Sequence, residues 1–306
     1  MSVETITYGK VTWTNIERPT PEDIEVLRRN YNFHPLDLED CLSKIERPKI
    51  DEYEDYLFIV MHFPVYDPDQ HISRPSEVDF FIGSGYLVTV HDGILEPIYQ
   101  LFDDCQRYER TRARHMGRGA SRLLYSVIDA LVDYCFPILD KVDSNIQVIE
   151  EEVFTSDMRR IVQDISIVRR DIIALRRIIR PQIAIVANLE QKDRPFIQEE
   201  LDVYFGDIVD HLNKARDILE DHREVIEGLS ETSDSVISYR INEVMRILAI
   251  ISVVMLPLTL LSGIYGMNLG KNLPLASHPL SFVFIMGLMI LMAGGMMFYF
   301  KRRGWL

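Results

Sequence analysis

The 306 residues carry 33 basic and 47 acidic side chains, a formal net charge of −14, and 47% of them are hydrophobic. The charge is unevenly spread: residues 241–306 hold Arg246, Lys271, Lys301, Arg302 and Arg303 against Glu243, a balance of +4, which leaves 28 basic against 46 acidic residues, −18, in residues 1–240. So acidic a body argues against nucleic acid or anionic lipid as its partner and suits metal cations or basic proteins, and the near-zero mean hydropathy averages a soluble part with a membrane part.

The opening "MSVETITYGK" lacks the apolar core of a secretory signal, so residues 1–240 are expected in the cytoplasm. Over residues 1–120, "KVTWTNI", "YLFIVMHFPVY", "VDFFIGSG" and "YLVTVHD" are rich in β-branched and aromatic residues and read as strands. Between them, "TPEDIEVLRRNYN" begins with an N-cap threonine and a proline at the first helical position. "HPLDLEDCLS" reads as a second helix and "LEPIYQLFDDCQRYERTR" as a third, which together predict an α/β domain with a mixed sheet. Cys41, Cys105 and Cys135 match no metal or disulfide spacing and read as small buried residues in a reducing compartment. There is no P-loop, nucleophile elbow or ligand-spaced His/Cys/Asp cluster, and His34 and His62 stand isolated, so an enzyme is not expected.

From Ser121 the period becomes 3.6, and residues 121–240 read as a long-helix bundle and stalk. "RLLYSVIDALVDYCFPILDKVDSNIQVIEEEVF" and "DMRRIVQDISIVRRDIIALRRIIRPQIAIVANLE" predict two long antiparallel helices with a turn near Thr155 and Ser156. A third helix begins near Pro195 and meets no further proline until Pro257. Its stripe Leu201, Phe205, Ile208, Leu212, Ala215, Leu219, His222, Ile226, Leu229, Ser233, Val236 is a heptad seam, the pattern of packing against other long helices.

No breaker separates that seam from residues 247–265, an uncharged stretch of 19 residues, and residues 280–300 form a second stretch of 21. Each matches the roughly 20 helical residues that span a bilayer. Basic residues flank the spans at Arg246 and at 301–303, whereas the connection 266–279 has only Lys271, so both termini are expected in the cytoplasm of a multi-pass cell (inner) membrane protein. On the first span Asn242, Met245, Ala249, Ser252, Leu256, Thr259 and Gly263 recur every three or four residues. Small residues in such a stripe serve helix–helix contact; a pore lining with apolar constrictions at Met245 and Leu256 is the functional reading, and the long stalk favours it. The span ends in "YGMN", where a ring of Asn268 side chains would offer neutral oxygens to a hydrated cation such as Mg²⁺.

"NEVMRILAIISVVMLPLTLLSGIYGMN", a short loop, a second span and the ending "YFKRRGWL" resemble the CorA family of divalent-metal (magnesium/cobalt) transporters, whose signature is Gly266-Met267-Asn268. The likeness extends to "VTWTNI", "HPLDLEDCLSKIERPKIDEYEDYLFIV", "LLYSVIDALVDYCF" and "YFGDIVDH", nearly the whole chain. It implies an α+β membrane protein: a cytoplasmic α/β/α domain, a long helical stalk and two C-terminal transmembrane helices, assembled as a homopentameric funnel. It implies that Asn268 binds hydrated Mg²⁺ at the outer mouth of loop 266–279, and that Asn242, Met245, Leu248, Ser252, Leu256, Thr259 and Gly263 line the path. Inhibitory Mg²⁺ sites between protomers would map to Asp40 and Asp207, for which plain solvated acids are the alternative. The function so implied is gated, passive uptake of Mg²⁺, with Co²⁺ or Ni²⁺ as other ions; zinc transport, or a membrane-anchored metal sensor without transport, are the alternatives. Two departures stand out: Leu256 replaces a methionine before Pro257, and the loop lacks acids, with Lys271 and His278 instead.

Overall fold

In the computed structural model, which describes residues 3–43, 46–155, 157–191, 195–267 and 280–305, the strand-forming runs pair into one six-stranded sheet. The strands are β1 (Val3–Tyr8), β2 (Val11–Glu17), β3 (Lys49–Glu52), β4 (Leu57–Asp67), β5 (Ile72–Ile82) and β6 (Tyr86–His91), in the order β1-β2-β6-β5-β4-β3. Only β2 and β6 pair in parallel. Both faces of the central strands are covered, which explains the near-continuous apolar run of β4. Leu57, Ile59, Met61 and Phe63 enter a larger core on one face, and Phe58 and Val60 enter a smaller one on the other. At ~1.5–3 kcal/mol for each fully buried side chain, this alternation fixes the register.

Helices α1 (Pro21–Asn30) and α2 (Pro35–Asp40) cover the smaller core, where Ile24, Leu27 and Leu38 are buried. Helix α1 starts with a complete capping box: Asp23 N–H donates to Thr20 Oγ1, and Thr20 N–H donates back to Asp23. The larger core lies beneath α3 (Glu96–Arg107), α4 (Glu109–Met116), α5 (Ala120–Asp133), α6 (Cys135–Glu152) and α7 (Met158–Leu189). All three cysteines are buried and reduced.

The structure differs from the sequence expectation in three respects. Strands β1 and β3 escape it because they are edge strands with polar faces: "VETITY" and "KIDE" are mostly half-buried or exposed. The helix expected through residue 112 breaks at Tyr108, whose backbone turns extended. That turn lets α4 bring its own Met116 to the core beside Ile98, Phe102 and Cys105 of α3. The helix expected from 122 to 154 breaks at Tyr134, because Pro137 has no N–H for the Asp133 carbonyl.

The heptad seam shares its core with other long helices, as its spacing predicts. It lies on α8 (Asp202–Tyr265), which follows a 3₁₀ turn at Glu199–Leu201. Leu201, Phe205, Ile208, Leu212, Ala215, Leu219, Ile226 and Leu229 all belong to the larger core, so the chain's own domain already covers this stripe. The chain divides into two compact units, Met1–Glu231 and Thr232–Leu306, and α8 contributes residues to both. In the second unit the rest of α8 and helix α9 (Ser281–Arg302) are the two helices long and apolar enough to cross a membrane. Most of their large side chains are bare, with Leu256 69% exposed and Leu291 73%, while Ile250 and Phe300 are buried. Helix α9 ends at Gly304, whose φ of +69° permits Trp305 N–H to reach the Phe300 carbonyl at 3.0 Å.

Candidate ion path and regulatory acids

The candidate path residues lie on α8. Asn242, Met245, Ala249, Ser252, Leu256, Thr259 and Gly263 share one stripe of α8, and Leu248 adjoins it. All eight are exposed within the chain. Ser252 Oγ donates to the Leu248 carbonyl and Thr259 Oγ1 to the Met255 carbonyl, both at 2.8 Å. Each hydroxyl proton is therefore spent inside the helix, and the lone pairs that remain make each oxygen an acceptor. Pro257 leaves the Val253 carbonyl without its helical donor, a further acceptor on the same helix. Neutral acceptors alternating with Met and Leu can pass a cation that keeps its water and block it where the apolar side chains meet.

Helix α8 ends at Tyr265, and Gly266 N–H closes the last turn on the Ser262 carbonyl at 2.8 Å. Met267 is exposed. Asn268, Lys271 and His278 lie outside the described residues.

Of the expected regulatory acids, Asp40 closes α2 and is held by Lys49 Nζ at 2.8 Å, which also reaches Asp51 at 2.9 Å. Burial works against the Lys49 ammonium, but its hydrogen bonds to Asp40 and Asp51 outweigh that and hold its pKa above the ordinary value. A second acid of "HPLDLED" is structural. Asp37 is buried and accepts from Tyr56 Oη at 2.7 Å and Tyr53 Oη at 3.1 Å. Its pKa is raised by burial even so, with the two tyrosines opposing.

Asp207 is exposed on α8, in an acidic neighbourhood that sequence reasoning missed. Burial first, then the charges of Asp133 and Asp207, raise the Asp129 carboxyl, against the opposing charge of His211. His211 Nδ1 stands 3.8 Å from Asp133 Oδ1. The signal was present as Asp129 and Asp133 one turn apart in "VIDALVD", but helical spacing alone does not say which helix they face. Within one chain Asp40 pairs with Lys49 and Asp207 adjoins Asp129; the structure does not bring Asp40 and Asp207 together. Among the described residues no three His, Cys, Asp or Glu side chains converge to hold a metal ion.

A family model described as CorA-like Mg²⁺ transporter protein matches residues 8–302. The cobalt/magnesium transport protein CorA of Thermotoga maritima is 34% identical over 299 residues, covering 96% of this chain and 83% of that protein. The zinc transport protein ZntB of Pectobacterium atrosepticum is 24% identical over 183 residues, 60% of this chain and 55% of its own. Among solved structures, that of the complete CorA magnesium transporter from Methanocaldococcus jannaschii superimposes with a TM-score of 0.84 at 22% identity, over 98% of this chain and 94% of that one.

Proposed function

The chain belongs to the CorA-like Mg²⁺ transporter family, a family of divalent-metal transporters, and on that premise we propose that it conducts hydrated Mg²⁺ across a cell membrane, with Co²⁺ and Ni²⁺ as further cargo. The observation that carries this reading is the exposed stripe of α8, whose hydroxyl oxygens are left as acceptors above and below Leu256. Mg²⁺ gives up water reluctantly, so a lining of neutral acceptors suits the hydrated ion better than a cage of charged ligands. One helix cannot enclose a path. Five copies around an axis would, with Asn268 at the outer mouth and both termini in the cytoplasm. Flux needs no chemical energy: ~2.3 kcal/mol per charge per 100 mV gives about 4.6 kcal/mol for a divalent ion.

The cytoplasmic acids supply the control. Asp40 of one copy and Asp207 of the next share Mg²⁺ and hold the assembly closed, and Asp40 must exchange Lys49 for the ion to do so. Asp129 beside Asp207 adds negative charge to the same place. Sites with few protein ligands are weak, which suits an abundant ion.

Uptake into proteoliposomes with competing divalents tests the assignment. Mg²⁺ should enter and Co²⁺ and Ni²⁺ should compete with it. Zn²⁺ flux that excess Mg²⁺ leaves untouched would give the protein the activity that its zinc-transporting relative is named for, and no flux of any ion would make it a sensor or scaffold.

A further inference from the structure

Strand β5 places a carboxylate where its pattern calls for a hydrophobe. Asp79 stands opposite Val60 of β4 and Val90 of β6, on the face that Phe81 shares. Val60, Phe81 and Val90 are members of the smaller core. Asp79 is 3% exposed, and among the described residues its Oδ1 has no hydrogen-bond partner. The Cys41 thiol adjoins the carboxyl group but donates its proton to the Asp37 carbonyl at 3.2 Å. A buried acceptor without a donor is costly, and an ionised one more so.

Beside it opens a cavity of about 520 Å³, whose lining includes Asp79, Glu77, Asp92, Cys41, Arg18 and His91. Most of these groups are engaged elsewhere. Glu77 Oε2 accepts from Glu46 N–H and lies 3.2 Å from His62 Nε2, and the Asp92 carboxylate accepts from Ser76 Oγ at 2.8 Å. Arg18 Nε donates to the Asp92 carbonyl. His91 is neutral: its Nδ1 accepts from Gly93 N–H, its Nε2 donates to Asn15, and burial pushes its pKa down to about 4. Lys49, a further cation near Asp79, is shared between Asp40 and Asp51. Among the described residues three carboxylates therefore line the cavity against one guanidinium.

We propose that the cavity beside Asp79 is an intrachain binding site for a hydrated divalent cation, with Asp79 Oδ1 bonding the ion or one of its waters. Because no three acidic, histidine or cysteine side chains among the described residues converge at ligand distance, the ion enters with most of its water. Six waters at ~30 Å³ each need about 180 Å³, which the cavity holds with room to spare. Mg²⁺ is bound in this way, through one or two carboxylates and several retained waters. The site is completed within one copy, unlike the pair of Asp40 and Asp207. The choice of Mg²⁺ rests on the transport reading; the site itself does not.

Mn²⁺ serves as the probe, followed by electron paramagnetic resonance on the full-length protein in nanodiscs, with Mg²⁺ as competitor. In an Asp40→Ala/Asp207→Ala background one class of bound Mn²⁺ beyond that at the Asn268 mouth should remain, displaced by Mg²⁺, and adding Asp79→Asn should abolish that class. Equal Mn²⁺ binding with and without Asp79→Asn in that background would overturn the proposal and leave a proton as the occupant of the carboxyl. Should Asp79→Asn fail to fold, Asp92→Asn, which keeps its acceptor for Ser76, should weaken the same class, and unchanged affinity there overturns the proposal equally. Mg²⁺ flux through the same preparations is read separately: a protein that binds Mn²⁺ here but carries no Mg²⁺ refutes the transport reading alone.

Discussion

His91 shows how one buried side chain sets a pH response. Burial lowers its pKa from 6.5 to about 4, so the unfolded chain binds the proton more tightly than the folded one. Stability from the neutral imidazole is complete above 6.5 and is lost as pH falls from 6.5 toward 4, by about 3 kcal/mol at 1.36 kcal/mol per unit. The thermal midpoint of the wild type should therefore drop further over that interval than that of His91→Gln, and parallel profiles would remove His91 from the account. The chemistry of single residues was unevenly legible in the sequence. Thr20 and Pro21 announced the start of α1, because a cap is a local event. That Asp37 is buried under two tyrosines while Asp40 is held by Lys49 depends on β3 and β4 arriving from later in the chain, and no spacing within "HPLDLED" contains it.

At the scale of elements, the heptad seam of α8 was plain in the sequence, but its partner was not. Periodicity says that a stripe must be covered and not by what, and here the domain's own core covers it through Leu229. Leu212→Ala, at a residue 1% exposed, should destabilise the first unit by ~2–5 kcal/mol, whereas Val203→Ala, at 82% exposed, should stay within ~0.5 kcal/mol. Equal shifts in thermal midpoint would deny the seam its seat. Beyond Ser233 the same helix turns bare, with Tyr239, Ile241, Val244 and Met245 all exposed, as a segment needing lipid or further copies must be. If Met245 and Leu256 are the dry constrictions, Leu256→Ser should raise leak when Mg²⁺ on the cytoplasmic side is high, since a polar ring lowers the cost of wetting. Unchanged leak in both Leu256→Ser and Met245→Ser would move the gate to Leu248.

At the scale of the whole molecule, the proposed function needs an assembly. The spans, the long helix and the α/β domain were readable because each is written in continuous periodicity or in motifs. The proposed control between Asp40 and Asp207 entered only through the family resemblance, since it needs one copy's α2 beside another's α8, and no single chain specifies that. Copies with a balance of −18 over residues 1–240 repel one another, and Mg²⁺ between carboxylates relieves the repulsion. Protease protection of the wild type should therefore rise with Mg²⁺, and an Asp40→Ala/Asp207→Ala variant should lose most of that rise; full protection in the variant would reduce the two acids to surface charge. The most direct measurement is Mg²⁺ uptake by the purified protein in liposomes under an inside-negative potential, wild type beside Asn268→Ala. Uptake should track the imposed potential in the wild type and vanish in the variant, with the oligomer intact. Mg²⁺ entry that is absent in the wild type, or equal in the two proteins, would contradict a selective Mg²⁺ path ending at Asn268.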